Sequence, residues 1–229
     1  MRSRLDETRA RIDRAASVAG RQAREIRLVA VSKTFGLDHI RAAVAAGQQD
    51  FGENRVQEAL QKIEGSTDLL IRWHLIGTLQ SNKARKAADA FNWIHSVDSL
   101  DLLQRLDSAA SQAGRRPKLL VQVDLAGEAT KHGAPPSVVP ALFEAARTCR
   151  AAEVVGLMLL PPWSDDPDGS RPYFGQLREL RERLLAQGVP AEMLQELSMG
   201  MSHDFEAAVL EGATMVRVGT AIFGRRISQ

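Results

Sequence analysis

The chain has 229 residues, of which 44% are hydrophobic and 25% charged, and a formal net charge of +2. Its length suffices for a full core, while a charge so near zero gives no overall drive toward nucleic acid or a membrane surface. A lone cysteine, Cys149, excludes an internal disulfide, no apolar run approaches the roughly 20 residues that cross a bilayer, and the opening has no secretory pattern; the expectation is one soluble domain over residues 1–229, cytoplasmic.

In chain order, Leu5, Ile12, Ala15, Ala16 and Ala19 mark one face of an opening helix that Gly20 ends. A strand at 27–31, apolar without a break from Leu28 to Val31, runs into Ser32, Lys33 and Thr34, and its helix carries Leu37, Ile40, Ala43 and Val44. A short strand at 50–52 is closed by Glu53. Asn54 with Gln57 reads as a capping box for a helix faced by Val56, Ala59, Leu60 and Ile63. Strand three, 72–76, ends at Gly77, with Thr78 capping a helix over 79–90. Strands at 93–96 and 118–124 follow, separated by a helix on Leu102, Leu103, Leu106 and Ala110. Pro135 and Pro136 suit a helix start. Strand six covers 154–160, the acidic stretch 164–170 reads as a surface loop, and Phe174, Leu177, Leu180 and Leu184 face a long helix. Strand seven is 195–198, its helix about 204–210, and strand eight 214–218.

Eight strand-then-helix units without a second run of strands predict a (β/α)8 TIM barrel with an extra N-terminal helix. A doubly wound open sheet is the competing arrangement. Barrels build their sites at the carboxyl ends of the strands, where this chain puts Lys33, Glu53, Asn54, His74, Asp124, Ser198 and Arg217. A lysine partly withdrawn from water there loses proton affinity and becomes an amine able to form a Schiff base. The last two loops carry Ser198-Met199-Gly200-Met201-Ser202 and Gly219-Thr220, at the two positions where barrels often hold phosphate on backbone N–H groups. Arg217, inside an apolar strand, either points into the barrel mouth toward a ligand or pairs with a carboxylate such as Glu53 or Asp124. His74 reads equally as a satisfied core histidine.

A lysine, a phosphate cradle and an arginine on one barrel face suggest pyridoxal phosphate (PLP), which has an aldehyde, a phosphate and a pyridine nitrogen to match them. Of the six lysines, Lys118 opens its strand and Lys62, Lys83 and Lys86 fall on helices outside the barrel. Lys33 and, by loop reach, Lys131 remain, with Lys33 preferred.

The sequence also resembles the pyridoxal phosphate homeostasis proteins (the YggS/PROSC family). The resemblance is carried by Ala30-Val31-Ser32-Lys33-Thr34, Phe51-Gly52-Glu53-Asn54, Trp73-His74-Leu75-Ile76-Gly77, Leu79-Gln80-Ser81-Asn82-Lys83, Gly156-Leu157-Met158, Leu197 through Ser202 and Met215-Val216-Arg217 through Gly224. It implies a barrel like the N-terminal domain of alanine racemase, with PLP on Lys33, Arg217 facing the pyridine nitrogen, Ser198, Gly200, Gly219 and Thr220 around the phosphate, and Asn54 and His74 on the ring side. Phe35-Gly36, Arg55 and Thr78 depart from the family's usual residues beside the site. The implied function is storage, buffering or delivery of PLP to apo-enzymes by a protein expected to be a monomer. An amino-acid racemase is the alternative; racemases of similar barrel shape draw a tyrosine acid/base from an added domain, and this chain's one tyrosine is Tyr173.

Overall fold

The computed structural model describes residues 1–127 and 132–224. Within them the strands are β1 (Arg27–Val31), β2 (Asp50–Glu53), β3 (Arg72–Leu75), β4 (Trp93–Val97), β5 (Lys118–Val123), β6 (Glu153–Leu159), β7 (Glu196–Met201) and β8 (Met215–Val218). The helices are α1 (Arg2–Val18), α2 (Leu37–Ala45), α3 (Val56–Glu64), α4 (Ala84–Ala90), α5 (Leu100–Ala113), α6 (Val139–Ala146), α7 (Arg171–Ala186), α8 (Phe205–Leu210) and α9 (Thr220–Phe223). Every neighbouring pair of strands is parallel, and β1 pairs with β8, so the sheet closes into a barrel and the open-sheet alternative falls.

Side chains alternate across a strand, and here that produces two cores. Residues pointing outward, such as Ala30, Phe51, Leu75, Ile94 and Leu119, pack with the helices in one continuous apolar layer. Trp93, Leu120, Val155, Met158 and Met215 fill the barrel interior. The additional helix α1 buries Leu5, Ile12, Ala15 and Ala16 and packs on α8 and α9. There Arg11 lies 4.6 Å over the Phe205 ring and pairs with Glu206.

Three local expectations change. The helix predicted over 79–90 begins only at Ala84, after a single 3-10 turn at Ser81–Lys83. Gly77 runs so close to the β2 loop that a Cβ there would lie 2.3 Å from the Asn54 carbonyl oxygen, and Gln80, just before the turn, is extended. Asn54 caps nothing: the residue before α3 is Arg55, with no side-chain cap. The stretch through Gly200, expected as a loop, extends β7 to Met201 across a register shift that Gly200 permits at φ +89°.

Gly156 of β6 lies opposite Glu196 of β7. A Cβ there would sit 2.0 Å from the Glu196 carbonyl oxygen, an atom fixed in the ladder. Gly156→Ala is therefore expected to lower stability by about 1–3 kcal/mol or more, read as an earlier urea midpoint.

Candidate functional site at the carboxyl ends of the strands

Lys33 follows β1 in a tight turn. The Phe35 N–H donates to the Ser32 carbonyl at 3.0 Å, and Thr34 takes φ 69°, a left-handed conformation uncommon for a β-branched residue. Three contacts from behind hold this turn. The Ser32 hydroxyl donates to Glu53 Oε1 at 2.6 Å; Lys62 Nζ donates to Glu53 Oε1 and Glu58 Oε1 at 2.8 Å each and to the Ser32 carbonyl at 2.9 Å; and Glu58 Oε1 accepts the Thr34 N–H at 2.7 Å. Glu53 is fully buried, and burial pushes its carboxyl pKa up against the opposing pull of Lys62 and Ser32. Lys62 thus lies outside the barrel, as its helical pattern implied, but it is buried against the base of the Lys33 turn and not solvated. A buried ammonium has no signature in a one-dimensional helical stripe.

In the β1–β8 ladder Val29 is the Cα partner of Arg217, so their side chains share a face. With Ser32 turned outward to Glu53, alternation places Val29 and Val31 on the inner side with Arg217, and Lys33 follows in the turn beyond the strand's end. Arg217 is buried, and burial lowers its pKa to about 10, leaving the guanidinium charged at neutral pH. It pairs with neither Glu53 nor Asp124. Its Nη1 donates to Ser198 Oγ at 2.7 Å and its Nη2 to the Leu159 carbonyl at 2.8 Å. Asp124 instead accepts the N–H groups of Ala126 and Gly127.

His74 is fully buried on β3, two strands from the one that carries the lysine turn, bonded to Asp50 and to His95 at 3.0 Å each. His95 reaches across the barrel to Ser198 at 2.9 Å. Sequence reading passed over Asp50 and His95: a carboxylate at the start of one short strand and a histidine within another carry no motif. Asn54 is half-buried in the loop after β2.

Around the last two loops, Gly200 admits no side chain, since a Cβ would lie 2.6 Å from the Ala208 Cβ. Ser202 joins the loops by accepting the N–H groups of Gly219 at 3.0 Å and Ala221 at 3.5 Å, and Thr220 opens α9. Phe35 stacks on Phe223 at 5.0 Å, tying the lysine loop to α9. Lys131 lies outside the described residues. Among the described residues no cluster has the composition of a metal site, and no helix is long and apolar enough to cross a membrane.

Asp50 anchors the opposite, amino-terminal end of the interior. Burial works to raise its pKa, but hydrogen bonds from Arg72 and His74 outweigh that and hold the carboxyl well below its usual range. A depressed folded pKa gives stability that is complete above the unfolded value, near 3.9, and lost as pH falls through and below it. Asp50→Asn should therefore flatten the dependence of stability on pH below about pH 5, measured by urea unfolding across that range. Lys62→Met leaves Glu53 buried without its cation and should cost about 3–5 kcal/mol in the same assay at neutral pH.

The sequence profile of the alanine racemase N-terminal domain family matches residues 3–226. A pyridoxal phosphate homeostasis protein of Pseudomonas aeruginosa is 47% identical over 95% of this chain and 92% of its own. PipY of Synechococcus elongatus, solved with PLP bound, superposes with a TM-score of 0.83 at 45% identity over 93% of this chain and all of that one. Alanine racemase of Streptomyces lavendulae shares the fold, with a TM-score of 0.68 at 21% identity, and this chain spans 58% of its length. By family profile and by identity along nearly its whole length, the chain belongs to the alanine racemase N-terminal domain family and, within it, to the pyridoxal phosphate homeostasis proteins.

Proposed function

We propose that this protein binds PLP as a Schiff base on Lys33 and serves PLP homeostasis in the cytoplasm, storing, buffering or delivering the cofactor to PLP-dependent apo-enzymes as a single-domain monomer. The observation that carries the reading is a buried guanidinium on the inner face of β8 beside the amine-bearing turn that follows its ladder neighbour β1. The residues present fit such a group. The Gly219 and Ala221 N–H groups converge on one oxygen, Ser202 Oγ, as donors to an anion would. Gly200 and Gly219 keep the surrounding backbone bare, a Cβ on the latter coming 3.3 Å from the Val31 carbonyl oxygen.

When bound, PLP supplies an aldehyde that condenses with an amine, releasing water. The protein's part is positional. The network behind Ser32 holds the Lys33 turn, while Gly200, Gly219 and Thr220 edge the phosphate cradle. Ser198 supports Arg217 from below and Asn54 stands on the ring side, whereas His74, expected there, lies behind His95 and Ser198 with both ring nitrogens bonded. A guanidinium beside the pyridine nitrogen opposes its protonation, since like charges repel, and so weakens the ring as an electron sink. Tyr173, the one tyrosine, packs against the outer apolar layer in α7, which favours a carrier over a racemase.

Purified protein should show a visible absorbance band that borohydride bleaches, and Lys33→Ala should lack the band while keeping the wild-type circular dichroism. A band persisting in that variant would place the amine elsewhere. Incubation of stoichiometric loaded protein with a panel of amino acids in deuterium oxide should give no label at Cα; incorporation would restore the racemase reading.

A further inference from the structure

Five polar side chains cross the barrel interior in one line. Asp50 Oδ1 lies 3.0 Å from His74 Nε2, His74 Nδ1 is 3.0 Å from His95 Nε2, His95 Nδ1 is 2.9 Å from Ser198 Oγ, and Arg217 Nη1 is 2.7 Å from that same hydroxyl. The line begins at the amino-terminal mouth, where Arg72 grips Asp50 in a two-pronged pair and Arg27 lies 3.4 Å away. It ends at the guanidinium of the candidate site.

The chemistry of its two ends leaves one arrangement of protons. Asp50, ionised between arginines, only accepts, so His74 Nε2 carries a hydrogen. Burial, reinforced in the case of His95 by His74 and Arg217, lowers both imidazole pKa values, which keeps the rings neutral. A neutral His74 then accepts at Nδ1 from His95 Nε2–H, and His95 accepts at Nδ1 from the Ser198 hydroxyl. With its one hydrogen committed to His95, Ser198 offers Arg217 only a lone pair, which is what a guanidinium needs. Packing fixes the ring planes as well. His74 lies flat on Trp93, 5.4 Å between centroids and 4° from parallel, and Trp93 is backed by Arg27 and Lys118, each 5.0 Å from its ring.

We propose that Asp50, His74 and His95 are positioning residues whose one-way hydrogen-bond chain fixes Ser198 as the acceptor that orients Arg217 toward the bound ring. The part that concerns the ring rests on the PLP reading above; the proton arrangement does not.

Nitrogen-15 NMR of ligand-free protein at neutral pH tests the arrangement directly. Both histidines should be neutral with hydrogen on Nε2, and hydrogen on Nδ1 of either ring overturns the chain. Asp50→Asn replaces a pure acceptor with a group that can also donate. His95, two links away, should then show a mixed tautomer signal; an unchanged His95 signal in that folded variant argues against coupling along the line. For the site, His95→Leu should weaken PLP binding about tenfold, the scale of one lost hydrogen bond to a charged group. His95→Gln, whose amide can accept from Ser198 and donate to His74, should recover most of that loss, and equal affinity in wild type and the leucine variant sinks the positioning role. If wild-type protein fails to bind PLP while the NMR result holds, the functional reading fails and the chain stands.

Discussion

A guanidinium that keeps its charge, enclosed where water cannot reach it, is the constraint to which the interior of this barrel answers. Arg217 has five N–H donors and no way of discarding them at neutral pH. Two find acceptors in Ser198 and in the Leu159 carbonyl of β6. The serine can play that part only if its own hydrogen is taken, and two imidazoles and a carboxylate supply the taker. A buried cation left to itself would be strongly destabilising. Here its acceptors come from β7 and β6, and the Ser198 hydroxyl is in turn held by His95 from β4 across the barrel, so closure of the sheet and retention of the charge are one requirement.

The outer side of β1 answers a second constraint of the same kind. Lys62 and Glu53 are both withdrawn from water and pair with each other, and each also reaches Ser32. Their hydrogen bonds converge on the one turn that carries Lys33, where Thr34 adopts a left-handed conformation. Strain of this sort persists only when neighbours over-determine it. The backbone that carries Lys33 is thus gripped from the outer side of β1.

The architecture was legible because strand and helix periodicities alternate eight times, and the apolar runs at β1, β5 and β6 leave little else for those segments to be. Strand ends were recovered to within a residue or so except at β7. There the serines and glycines that read as a turn form a bulged strand end, because local chemistry cannot distinguish a glycine that terminates a ladder from one that bends it. The lysine-bearing turn and the arginine were visible as chemistry out of place in apolar strands. What stood behind them was not. Asp50 and His95 act through partners 24 and 103 residues away in sequence, and Lys62 through the Ser32 carbonyl 30 residues away; only the folded barrel brings them together. Asn54 misled for the opposite reason: a plausible local cap was overridden by the close passage of Gly77 beneath its carbonyl.

The Ser202 hydroxyl has a consequence of its own. By accepting from both Gly219 and Ala221 it does in miniature what an anion would do, so those N–H groups have a partner even when nothing is docked. On the proposed PLP reading, arrival of the phosphate would be a swap of one oxygen for another, and departure the reverse swap, with no donor stranded at either stage. Such an exchange would forgo some affinity and gain reversibility, the property that the proposed lending of a cofactor would need.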